Sequence, residues 1–268
     1  MYVDTHCHLQ LLDYSKLGID MDAVVQQAVD NQVFNMICVA THMDQSAELY
    51  HIAEKYINVK ISIGLHPNEE IAREPSSKDY VQAADHASVI AIGETGLDYY
   101  RIPEGRSDLI PLQQERFRSH IEAAKLCRKP LIVHTRNAKQ DTLRIIRDEY
   151  ANTVGGVLHC FTEDLDMALQ AIDLNFYISF SGIVTFHNAK ALQDVARTIP
   201  LDRLLIETDS PWLAPEPKRG HMNLPANVKY VAEFIAQLRG ITTEEVAKQT
   251  TQNYLTLFKR ENGSRSTE

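Results

Sequence analysis

The chain has 268 residues, 44% of them hydrophobic, which suffices for one large α/β domain or two small ones with a substantial core and argues against disorder. Lys and Arg total 27 against 36 Asp and Glu; the formal charge of −9 speaks against broad adhesion to nucleic acid or anionic membrane, so a polyanionic substrate needs a local positive site. Four scattered cysteines without a Cys-x-x-Cys pair, no run of about 18 apolar residues and a start that enters a charged segment directly point to a reduced, cytoplasmic chain with no membrane association.

Along the chain, short β-branched runs bounded by turn residues stand at 2–5, 36–40, 59–63, 89–92, 131–134, 156–159, 176–180 and 204–207. Helical periodicity fills the gaps, at 21–31, 44–55, 78–87, 111–128, 139–150, 164–173, 189–198 and 225–238. Strict alternation implies a parallel α/β sheet with right-handed crossovers, and closure into a (β/α)8 TIM barrel is the most economical outcome at this length. The alternative is a doubly wound open sheet. No Gly-x-Gly-x-x-Gly follows the first strand, however; a histidine pair stands there instead. Segments 243–248 and 253–259 read as short extra C-terminal helices packed outside the barrel. They complete one barrel domain over 1–259, and 260–268 is expected to be a polar, frayed tail.

In such barrels the chemistry comes from the C-terminal ends of the strands. The first strand runs into Asp4-Thr5-His6-Cys7-His8, where the two-residue period sets His6 and His8 on one side and Cys7 on the other. The third ends in Gly64-Leu65-His66-Pro67 and the fourth in Gly93-Glu94-Thr95-Gly96-Leu97-Asp98. The fifth ends in His134-Thr135-Arg136, the sixth in His159-Cys160-Phe161 and the eighth in Glu207-Thr208-Asp209-Ser210-Pro211. A hydrogen-bonded structural histidine accounts for any one of these positions, but not for ligand-type residues at six strand ends together. Four imidazoles (His6, His8, His134, His159) and two carboxylates exceed what one cation accepts. They suit two divalent ions, Zn²⁺, Mn²⁺ or Mg²⁺, bridged by a shared carboxylate. Glu94 is the natural bridge, Asp209 completes the site of His6 and His8, and Glu207 is expected to orient a ligand histidine.

These residues sit in motifs through which the chain resembles the TatD family of metal-dependent deoxyribonucleases, within the amidohydrolase-like metal-dependent hydrolases. The motifs are DTHCHL at the start, GLHP at His66, GETGLDYY at Glu94, PLIVHTR at His134, LHCF at His159 and LIETDSPWLAP at Asp209, followed by KRGHMNLPANV and LRGITTEEVAKQTTQNYLTLF. The resemblance implies His6, His8, Glu94 and Asp209 around one cation and Glu94, His134 and His159 around the other. One departure is visible: the family usually has Tyr-Arg-Gly-Lys where this chain has Lys218-Arg219-Gly220-His221.

The expected reaction is hydrolysis of DNA phosphodiesters by a metal-activated water, as an exonuclease on single-stranded ends, because local cations can draw in a phosphate while the protein stays acidic. Asp209 orients the water or takes its proton, and Glu94, Asp209 and His66 form the catalytic set. His66, Arg219 and Asn223 are expected to contact phosphate, with Arg136 a weaker candidate, and Tyr99, Tyr100 and Phe161 are candidates for stacking on a base. Trp212 reads as an anchor of its own loop. DNA ends are thus the expected partner, and no obligatory protein partner is evident. Two other readings share the residues: a binuclear-metal hydrolase of a small ester, amide or aminoacyl ester, and a non-catalytic metal-stabilised binding protein.

Overall fold

Runs too short and too β-branched for helices can bury both faces only inside a parallel sheet. In the computed structural model, which describes residues 1–258, they form β1 Tyr2–Cys7, β2 Val33–Val39, β3 Val59–Ile63, β4 Val89–Asp98, β5 Leu131–Arg136, β6 Gly156–Leu158, β7 Phe176–Phe180 and β8 Leu204–Ile206. The helices are α1 Tyr14–Leu17, α2 Met21–Asp30, α3 Ser46–Lys55, α4 Ser77–Ala83, α5 Leu109–Cys127, α6 Lys139–Asp148, α7 Leu165–Asp173, α8 Lys190–Thr198, α9 Val228–Arg239 and α10 Thr243–Phe258. All strands pair in parallel in the order β1 to β8. The ring closes at its mouth. There Cys7 and Ser210 form a parallel bridge, Asp209 N–H donates to His6 O at 2.8 Å and His8 N–H to Ser210 O at 2.8 Å. The expected (β/α)8 barrel is therefore the fold. Among the described residues no helix is long and apolar enough to cross a membrane.

Two apolar layers hold the barrel. The outer one packs strand residues such as Met36, Ile61, Val133 and Ile178 against Val24, Leu49, Phe117, Leu143 and Ile235 of the surrounding helices. The inner one fills the lumen with Val3, Ile37, Val39, Ala91, Ile132, Val157, Tyr177 and Leu205. That inner cluster continues into Tyr254, Leu257 and Phe258 of α10, so this helix closes the floor of the barrel. The expectation of two short helices outside the barrel is thereby corrected to one continuous helix that plugs it. The polar stretch around Thr250 looks like a break because its residues lack apolar periodicity. Its two inward-facing members find partners instead: Thr250 Oγ1 donates to Val246 O, and Asn253 Nδ2 donates to Leu201 O and Leu204 O at the foot of β8. The tail expected at 260–268, with Lys259, lies outside the described residues.

Tyr254 is fully buried, and among the described residues its hydroxyl meets no hydrogen-bond partner. Tyr254→Ala is therefore expected to cost about 3–5 kcal/mol and lower Tm by roughly 10 °C, whereas Tyr254→Phe should hold or raise it. Thermal unfolding of the three proteins checks this, and a Tyr254→Ala protein as stable as the parent would mean that α10 does not close the core.

A second departure matters more for the mouth. β4 runs six residues past its expected end, because pairing of Thr95, Gly96, Leu97 and Asp98 with Val133, His134, Thr135 and Arg136 carries the glycine-rich stretch on as strand. Gly96 makes this approach feasible: its φ is +124°, and a Cβ there would stand 2.0 Å from His134 O.

Candidate metal centre

Strict alternation from lumen-facing Val3 would turn Cys7 inward. The β1–β2 register instead slips between Asp4 and Cys7, and Cys7, paired with Cys38, joins the outer layer. His6 and His8 are thereby aimed into the mouth with their Nε2 atoms 3.0 Å apart. Asp209 Oδ1, brought by the β8–β1 seam, lies 3.7 Å from His6 Nε2 and 3.5 Å from His8 Nε2.

Glu94 stands between two sets of imidazoles and shows one oxygen to each. Its Oε2 is 3.5 Å from His6 Nε2 and 3.9 Å from His8 Nε2. Its Oε1 is 2.9 Å from His159 Nε2, 3.3 Å from His134 Nδ1 and 3.4 Å from His66 Nε2. Burial alone would push the Glu94 carboxyl up, but His159, His66 and His134 override it and hold the group well below the usual carboxylate range.

Hydrogen bonds sort these histidines by the atom each offers. His8 Nδ1 faces Val39 O at 2.9 Å; a carbonyl only accepts, so Nδ1 carries the proton and Nε2 presents its lone pair. His134 Nε2 donates to Asp98 Oδ2 at 3.2 Å, which leaves Nδ1 as a lone pair toward Glu94. His159 Nδ1 lies 3.4 Å from Glu207 Oε1, and its Nε2 faces the centre. His66 is the opposite case. Its Nδ1 accepts from Asn68 N–H at 3.2 Å, so Nε2 bears the proton and His66 enters the centre as a donor. Burial lowers its pKa to about 3, which keeps the ring neutral.

The donor set fits divalent cations. Ligand atoms bonded at about 2.0–2.2 Å to one ion lie roughly 3.0–3.4 Å from one another, close to most separations here. Imidazole lone pairs converging with two carboxylates also call for positive charge between them. Among the described residues, those that could hold ions fall into three overlapping groups: His6, His8 and Asp209; His6, Glu94 and His159; and His66, Glu94 and His134. The tautomer of His66 disfavours it as a ligand in the last of these.

Six of the residues singled out in the sequence (His6, His8, Glu94, His134, His159 and Asp209) thus meet in one centre, with His66 beside them. Arg219 is exposed on the loop after β8, its guanidinium 3.7 Å from the centre of the Phe186 ring. Asn223 does not face the centre: it is fully buried, its Nδ2 donates to Thr208 O, and its Oδ1 accepts from Leu224 N–H and Asn227 Nδ2. Its amide frames the loop and is not available to phosphate. Tyr99 is half-buried and its hydroxyl donates to Asp141, whereas Phe161 is buried in the outer apolar layer and does not stack on a base.

Two contributors escaped the sequence reading. Asp98 holds His134 and is itself held by Asn68 Nδ2 at 2.8 Å and Arg101 N–H at 3.1 Å. It shares strand parity with Glu94, and that was the available signal. Asp4 accepts from both the N–H and the hydroxyl of Thr208, which fixes the residue before Asp209. Only the long-range seam reveals that.

A family model described as "TatD related DNase" matches residues 3–259. The chain is 48% identical over 257 residues to "Uncharacterized metal-dependent hydrolase YcfH" of Escherichia coli K12, covering 96% of this chain and 95% of that protein. It is 39% identical to "Uncharacterized metal-dependent hydrolase YabD" of Bacillus subtilis, covering 97% and 99%. Among solved structures, YJJV, a TatD homologue from Escherichia coli, superposes with a TM-score of 0.87 at 29% identity, covering 96% and 98%.

Proposed function

This chain belongs to the TatD related DNase family of metal-dependent hydrolases, and from that premise we propose that it cleaves DNA phosphodiesters, as an exonuclease on single-stranded ends, with two divalent cations in the centre. The carrying observation is the division of Glu94: Oε2 toward His6 and His8, Oε1 toward His134 and His159. His6, His8, Glu94 and Asp209 would hold one ion, and Glu94, His134 and His159 the other. When bound, such cations supply Lewis acidity and make water acidic enough to attack at neutral pH.

The chain's own groups divide the remaining work. Asp209 is the more accessible carboxylate, its side chain 14% exposed against 4% for Glu94, so it is the group that orients the attacking water and takes its proton. The Nε2–H of His66 donates to a non-bridging phosphate oxygen as charge grows there. Asp98 and Glu207 keep the rings of His134 and His159 turned so that Nδ1 and Nε2 respectively face inward. The overall charge of −9 favours capture of one or two phosphates at a strand end over grip on a long duplex.

The expected result with end-labelled DNA is stepwise shortening of single strands at least about tenfold faster than of blunt duplex. The same preparation should be tested against a panel of aminoacyl esters and lactones. A kcat/KM for one of these far above that for oligonucleotides would overturn the nucleolytic reading.

A further inference from the structure

Trp212 is the chain's single tryptophan, three residues beyond Asp209 at the mouth of the barrel. Its ring stands edge-on to His8, with centroids 5.3 Å apart, yet the residue is 49% exposed. The loop beneath it is fixed without it. Trp212 N–H donates to Asp209 O at 3.0 Å, Asn223 N–H donates to Pro211 O at 3.0 Å, and Gly182 lies so close that a Cβ there would stand 1.9 Å from Leu213 O. A tryptophan anchoring its own loop would bury its ring. Here backbone hydrogen bonds and a glycine contact do the anchoring, and among the described residues the indole N–H meets no hydrogen-bond acceptor. The sequence expectation of an anchoring role is not what the structure presents.

We propose that Trp212 is the stacking platform for the nucleobase next to the phosphate held at the centre, an inference that rests on the nucleolytic reading above. The geometry is that of a rigid backbone carrying a half-open aromatic face beside a ligand histidine and the proton-accepting Asp209. Across the mouth, Tyr100 is 60% exposed and carries the Arg136 guanidinium 3.8 Å from its ring centre, two residues past His134 on β5. A single strand crossing between these points meets an indole on one side and an arginine–tyrosine pair on the other. Stacking suits an acidic protein. It adds affinity for a strand without adding positive charge, and it tolerates every base because each has a π-face. A base inside a duplex is stacked on both sides and a terminal pair exposes a single face, so the platform favours unpaired ends.

With one tryptophan, intrinsic fluorescence reports on the site directly. A ten-residue oligo(dT) with phosphorothioate linkages, titrated into the purified protein with its bound metals, is expected to quench the emission. A ten-residue abasic deoxyribose-phosphate strand of the same charge should not. Trp212→Ala should raise KM for cleavable oligo(dT) by about tenfold or more, with a much smaller change in kcat, and Trp212→Phe should restore most of the loss. Equal quenching by the two strands, or an unmoved KM in Trp212→Ala, overturns the stacking role while leaving nucleolysis intact. A wild type that hydrolyses carboxylic esters and cleaves no oligonucleotide overturns the nucleolytic reading, and this role with it.

Discussion

Glu94→Gln is expected to leave at most one ion per chain and to lower hydrolysis about a thousandfold or more, because a carboxamide cannot present an anionic oxygen to each side of the centre. The parent carboxylate is wedged between five imidazoles, with its two oxygens 2.9–3.9 Å from their nitrogens. Gln keeps the volume and one acceptor, but points an amide N–H at lone pairs or a cation on the other side. Three orders of magnitude correspond to about 4 kcal/mol of transition-state stabilisation, in the range of metal-assisted polarisation. Elemental analysis of the purified variant and single-turnover rates give the two readouts. Unchanged metal content together with an unchanged rate would rule out the bridging assignment.

Asp209→Asn tests the proton acceptor more cleanly than Asp209→Ala. Asp209 sits at φ +56°, in the left-handed region that Asn tolerates as well as Asp, so the backbone of the loop is preserved. The loop is further held by Asp4 on Thr208 and by the Asp209 N–H to His6 O hydrogen bond, neither of which uses the carboxylate. What changes is the carboxylate itself: one oxygen becomes an NH2 and the negative charge is lost, which removes the proton acceptor and weakens the hold on an ion at His6 and His8. The expected effect is a fall in kcat of about 10²–10⁴-fold, with the ion held by Glu94, His134 and His159 retained. A variant within about threefold of wild type under single-turnover conditions would exclude Asp209 as the acceptor.

How much of this was legible before the fold was known depends on where the information sits. The strand ends were readable because each ligand-type residue closes an apolar run, and the barrel rule turns that position into a direction. The extension of β4 was not, since Gly-Glu-Thr-Gly has the composition of a turn and becomes strand only by pairing with β5. Asn223 and Arg219 were chosen for chemistry that matches phosphate, but chemistry does not reveal that one amide is already spent on its own loop. Which nitrogen His8, His134 and His66 turn to the centre was likewise beyond the sequence, because it depends on partners such as Val39 O, Asp98 and the N–H of Asn68.

The seam between β8 and β1 has a consequence for the order in which the protein can assemble. The half of the centre built on Glu94 and His159 spans 65 residues of chain, whereas Asp4 and Thr208, which tie the seam beside Asp209, are 204 apart. By loop-closure entropy alone the longer span costs only about 1 kcal/mol more, but it cannot form until the last strand has been synthesised and docked. A nascent chain can therefore shape the Glu94–His134–His159 pocket early, while the His6–His8–Asp209 pocket exists only once the first and last strands have met. An ion held by that second pocket would report a finished barrel, and its binding free energy would accrue to the closed ring and not to any partly built chain.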